Sequence, residues 1–191
     1  MVDEPGAAPE SGTRARTRRA ILDAAVRVLS QQPNASLAEV AAAAGVGRTT
    51  MHRYFPERAD LLTGITNDLL EKIAAATERA RPDTGPAMAA LERLCQAYFD
   101  LGDGILLTVN EPHLFTDAAW SQESETDRTL LRLVKRGQAE GAIDPDLTPE
   151  WVQNVLWALL YAAWMHARDD DVPEHDALAL CLRTLRKAVG R

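Results

Sequence analysis

Residues 37–55 read LAEVAAAAGVGRTTMHRYF, and the fold is decided there. Ser36 stands just ahead of the stretch and Glu39 follows three residues later. That is the capping-box spacing, in which a hydroxyl and a carboxylate satisfy the free amides of a helix start reciprocally. Leu37, Val40, Ala41 and Ala44 then recur at helical spacing and form one buried stripe. Gly45-Val46-Gly47 breaks the helix, and Gly45 supplies the positive φ that a tight turn requires. A short helix is expected over 48–55, stopped by Pro56. Two helices meeting steeply need a small residue where they nearly touch, and Ala41 provides it. Val40, Ala44, Val46, Met51 and either Tyr54 or Phe55 are placed to fill the wedge between them.

Working outward, Ile21, Leu22, Ala25, Val28 and Leu29 share one face of a helix expected over 13–30, ended by Gln31-Gln32-Pro33-Asn34. A longer helix should begin between Glu57 and Asp60 and run through Leu61, Leu62, Ile65, Leu69 and Ile73 to about Arg81. The charge follows this division. The whole chain of 191 residues carries a net charge of −7, which argues against a surface uniformly coated for nucleic acid or anionic membrane. Residues 13–58, however, hold eight arginines against three acids, whereas 59–191 hold 13 bases against 22 acids. A basic segment joined to an acidic body is the first functional indication. Residues 1–12 are rich in Pro, Gly, Ala and acid and read as a disordered tail.

The run GVGRTTMHRYFPERADLL, with its Tyr-Phe-Pro after the second short helix and a basic residue two positions beyond the proline, resembles the signature of TetR-family transcriptional regulators. The likeness covers about 13–62 closely. It implies a helix-turn-helix DNA-binding domain over 13–58 and a ligand-binding and dimerisation domain over 59–191. It also implies a homodimeric repressor released from a palindromic operator by a small molecule. The residues agree with this. Arg48, Thr49 and Thr50 open the second short helix, where short polar and basic side chains meet the major groove. An arginine can bond a guanine edge bidentately, and a threonine methyl can meet a thymine methyl. Arg53 suits the DNA backbone. Phosphates are expected at the helix start near Ser36 and at Arg58. Arg14 and Arg18, with Arg16 and Arg19, are expected along the DNA backbone or in a minor groove; a solvated basic tail reads equally well. Three positions depart from the family pattern: His52 stands where Tyr is usual, Gly47 replaces the common Ser cap, and Arg58 replaces Lys. A histidine contact to phosphate should be pH-sensitive.

Beyond residue 81 the chain reads as helices near 87–101, 105–110, 114–120, 123–140, 149–168 and 174–189. They are separated by breaks that include Gly102-Asp103-Gly104, and the fold class is all-α, with about nine helices in all. Stretch 149–168, PEWVQNVLWALLYAAWMHAR, is apolar on two faces, so it must be buried on both sides. By the resemblance, this helix and the last pair with their mates in a four-helix bundle. Leu156, Leu160, Trp164, Leu178, Leu182 and Leu185 are the candidate interface, and the centre of a monomer is the alternative. Polar or amphipathic residues in apolar surroundings, namely Tyr98, Asn110, His113, Trp120, Asn154, Trp157, Tyr161 and also His166, are the candidate ligand residues. The body has no basic cluster, so the expected effector is neutral or cationic and aromatic or hydrophobic.

Enzymatic and metal functions find little support. There is no Glu-x-x-His pair, nucleophile elbow or phosphate loop, and Asp100-Leu-Gly-Asp-Gly lacks calcium-loop spacing. His166 and His175 near Asp169-Asp170-Asp171 read as a charged loop rather than a metal site. Two cysteines far apart, Cys95 and Cys181, give neither a disulfide scaffold nor a zinc signature. The longest apolar run, residues 155–165, is well short of the roughly 18 needed to span a bilayer. A cytoplasmic protein without cofactor is expected. An effector-independent DNA-binding dimer and a helical small-molecule-binding protein without DNA function stand as the rival readings.

Overall fold

The computed structural model describes residues 12–110, 124–170 and 172–191, and the helix expected at 114–120 lies outside them. Among the described residues there are nine helices: α1 (Gly12–Gln31), α2 (Leu37–Ala43), α3 (Arg48–Tyr54), α4 (Arg58–Ala80), α5 (Ala87–Phe99), α6 (Gly102–Asn110), α7 (Glu125–Ala139), α8 (Pro149–Asp169) and α9 (Glu174–Val189). None of them is long and apolar enough to cross a membrane. The chain divides into two compact units, Met1–Thr66 and Asn67–Arg191.

In the first unit, α1 buries Ile21, Leu22, Ala24, Ala25 and Leu29. Both arms of the capping box are made at the start of α2. At its end, Gly45 adopts φ 67°. The Val46 N–H returns to the Ala41 carbonyl and the Gly45 N–H to that of Ala42, which closes the helix in a Schellman turn. Ala41 and Val40 are fully buried, and Phe55 rather than Tyr54 fills the wedge. The unit extends past residue 58 because the first turns of α4 belong to its core. Leu61 and Ile65 are buried, and Gly64 lets the Phe55 ring approach so closely that a Cβ there would lie 2.7 Å from it.

In the second unit, α8 packs against α5, α6, α7 and α9. Its Val152, Leu156, Leu160, Ala163 and Trp164 enter one contiguous core. A fully buried leucine contributes about 1.5–3 kcal/mol, so this helix anchors the unit. The structure corrects the break expected at 102–104, because α6 already begins at Gly102. The glycine serves close packing there and not a turn: a Cβ on Gly102 would lie 2.6 Å from the Trp164 indole nitrogen. That nitrogen donates to the Phe99 carbonyl at 3.0 Å, strapping α8 to the end of α5.

Candidate functional site

α3 is capped by the extended backbone of Gly47, with no side-chain bond to its amides. Arg48 and Thr49 are exposed and Thr50 is half-buried, while Met51 behind them is sealed in the wedge. The packed side of the helix thus holds its polar side outward. His52 and Arg53 are exposed on the next turn. His52 Nδ1 lies 3.2 Å from the Pro56 carbonyl oxygen. A carbonyl only accepts, so in this contact the ring donates from Nδ1.

Two aromatic rings organise the arginines around α3. Arg53 and Arg14 lie over the Tyr54 ring at 5.5 and 5.9 Å, and Arg18 lies over Phe55 at 5.8 Å. The Tyr54 hydroxyl donates to the Arg14 carbonyl at 3.3 Å. The start of α1 is thus tied to α3 by contacts each worth about 0.5–1 kcal/mol at exposed sites. Arg14 and Arg18 lie within α1.

Two residues expected at phosphates make intramolecular bonds. Arg58 donates from both Nη groups to the Ala35 and Pro33 carbonyls, so its guanidinium holds the α1–α2 loop. The Ser36 N–H and hydroxyl both donate to one Glu39 carboxylate oxygen at 2.7 Å. Those bonds, the backbone one first, hold the Glu39 carboxyl below the usual carboxylate range. The Glu39 carboxylate thus takes the Ser36 N–H at this cap.

Of the candidate ligand residues, the structure brings Tyr98 and Trp157 together. Their rings stack at 5.0 Å between centroids, 7° from parallel. Tyr98 is fully buried, and its hydroxyl shares a 2.7 Å hydrogen bond with Thr77 on α4. Burial pushes the phenol up to about 12. Asn154 and Tyr161 are exposed instead, on another face of α8 from the core residues. The side chain of Asn110, with His113 and Trp120, lies outside the described residues. His166 pairs locally with Asp170 at 2.6 Å. Sequence reasoning missed Thr77, and it missed Asp127, which caps α7 through Ser124 and accepts from Gln153 at 2.7 Å. The Ser124-x-x-Asp127 spacing was the available signal.

The residues expected at an interface lie in or against the core of a single chain. Leu156, Leu160 and Leu185 are 0% exposed and Trp164 is 6% exposed within a single chain. Leu178 and Leu182 pack against the same core. The apolar surface left open on α8 and α9 consists of Trp151, 57% exposed, Tyr161 and Leu180, with the exposed Ala158 and Ala162.

A capped three-helix wedge that presents a short basic and threonine-bearing helix, followed by a larger all-helical unit, is the architecture of a helix-turn-helix regulatory protein. The family model described as "Bacterial regulatory proteins, tetR family" matches residues 21–65. The chain is 40% identical over 181 residues to the HTH-type transcriptional repressor LfrR of Mycolicibacterium smegmatis, covering 94% of each chain. It therefore belongs to the TetR family. Among solved structures it is similar to the TetR-like regulator LfrR from Mycobacterium smegmatis in complex with proflavine. That match has a TM-score of 0.75 and 38% identity, over 89% of this chain and 95% of that one. It also shares its fold with the ketosteroid transcriptional regulator KstR2 of Mycobacterium tuberculosis, at a TM-score of 0.72 and 14% identity, over 97% and 98% of the two chains.

Proposed function

We propose that this protein is a cytoplasmic transcriptional repressor that binds a palindromic operator as a homodimer and leaves it when a small aromatic, largely hydrophobic effector occupies the body. The observation that carries the reading is the exposed Arg48–Thr49 face of α3, backed by the buried Met51. Arg48, Thr49 and Thr50 read base edges; Arg53, Arg14, Arg18 and His52 contact phosphates. Two such heads read half-sites about 34–36 Å apart or a multiple of that spacing. Pairing through Trp151, Tyr161 and Leu180, with Leu178 and Leu182 beside them, is supported by the apolar surface left open there. For the effector, support comes from the half-buried Trp157, whose ring is held by Tyr98, and from the proflavine complex of the similar LfrR. A planar aromatic cation suits an aromatic face in an acidic body.

The test is a titration of the duplex upstream of the protein's own gene, with random duplex as competitor and with or without proflavine. Two chains per site are expected, with affinity falling roughly 5–150-fold when proflavine is bound. A single chain per site, or no preference over competitor, sinks the repressor reading. Unaltered affinity with bound proflavine would leave the effector-independent dimer in its place.

A further inference from the structure

Cys95 and Cys181 are the chain's two cysteines, 86 residues apart, and neither enters the reading above. The fold brings them together: α5 and α9 pack directly, and the two sulfurs lie 3.7 Å apart in the core. Arg186 Nε on α9 donates to Glu92 on α5 at 2.7 Å, fixing the two helices side by side on the same flank. Cys95 is 0% and Cys181 3% exposed, so Cys181 is the member nearer the surface.

We propose that Cys95 and Cys181 form a modification site, a dithiol that a small hydroperoxide converts into an intramolecular disulfide bridging α5 and α9. The Cys181 thiolate attacks one peroxide oxygen, so an S–O bond forms and the O–O bond breaks. The departing hydroxide takes up the proton released by Cys181 and leaves as water. The Cys95 sulfur then attacks the resulting sulfenic acid. The S–S bond forms, the S–O bond breaks, and the second hydroxide leaves as water with the Cys95 proton. One peroxide is reduced and two thiols are oxidised. The hydrogen bond between the sulfurs assigns the roles. It holds Cys95 protonated, well above the usual thiol range with burial acting in the same sense, and it lowers Cys181 by stabilising its thiolate. Closure requires the sulfurs to approach by roughly 1.7 Å, within reach of side-chain rotation and a small helix shift.

The experiment treats the folded, reduced full-length chain with hydrogen peroxide and reads intact mass, free thiols and the non-reduced peptide map. The expected result is a loss of about 2 Da with both thiols disappearing together and a Cys95–Cys181 peptide reversible by dithiothreitol. A melting temperature raised by roughly 5–10 °C should accompany it, because the bridge closes a long loop. Cys95→Ser should stall at additions of about 16 or 32 Da on Cys181, whereas Cys181→Ser should leave Cys95 unmodified at the same dose. The proposal is overturned if the folded chain keeps both thiols while the guanidinium-unfolded chain forms the bridge. Independent addition of oxygen to each cysteine, or a bridge that lowers the melting temperature, also overturns it. No readout uses DNA, so failure here leaves the repressor reading standing, and the reverse holds.

Discussion

The head and the body keep their polar chemistry in opposite places. In the head, Arg48, Thr49, His52 and Arg53 face outward from a helix whose apolar side is sealed by Met51. In the body, polar atoms are spent internally: the Tyr98 hydroxyl on Thr77, the Trp164 indole on Phe99, and Gln153 on Asp127. A surface that meets a highly charged polymer presents its donors to solvent. A buried donor left unpaired costs about 1–3 kcal/mol, which favours pairing inside a core. The difference makes the candidate residues of one unit easier to read from sequence than those of the other.

The sharpest way to break this contrast is to truncate a side chain in the body that was expected at an interface. Leu156→Ala should destabilise the protein by about 2–5 kcal/mol in urea denaturation, because it opens a cavity in one chain's core. A loss that vanishes at high protein concentration would return Leu156 to a dimer contact. In the head, Gly64→Val should cost about 1–3 kcal/mol of stability by driving a side chain into the Phe55 ring. Thermal melting of the variant reads this directly, and an unchanged melting temperature would show the ring free to move.

Removing function without touching the wedge is the complementary test. Arg48→Ala should weaken binding to the specific site by about 1–3 kcal/mol and relax selectivity, with circular dichroism unaltered. A uniform loss across all sequences would make Arg48 a phosphate contact instead. Glu39 offers a smaller, pH-dependent effect. Its folded carboxyl is held down by Ser36, so its contribution is present above the unfolded value and is lost as pH falls through the folded one. Glu39→Gln should therefore flatten the acid limb of the stability curve, and an unaltered limb would deny the cap its charge. Smallest of all, His52→Ala should weaken DNA binding a few-fold in the same titration, because the ring is exposed on α3 beside Arg53. Unaltered affinity removes His52 from the interface.

The head was legible because its devices act over three or four residues. Ser36 with Glu39, Gly45 after α2, and Pro56 after α3 each meet a local hydrogen-bonding or dihedral requirement that the chain states in order. The same local reading failed at Gly102, where the requirement came from Trp164, far away in sequence and directly overhead in space. At Leu156, Leu160 and Leu185 the pattern announces only burial. An all-round apolar helix announces burial on two sides, but not which side meets its own chain and which meets a mate.

The amino-acid order by itself determined an all-helical chain, the helix-turn-helix, and the basic-to-acidic division, since helix periodicity, caps and charge are properties of neighbours along the chain. Only the tertiary structure decided that Arg58 braces a loop, that Tyr98 stacks on Trp157, and that Cys95 touches Cys181. Those contacts join helices separated by tens of residues, and their partners are selected by packing many side chains at once.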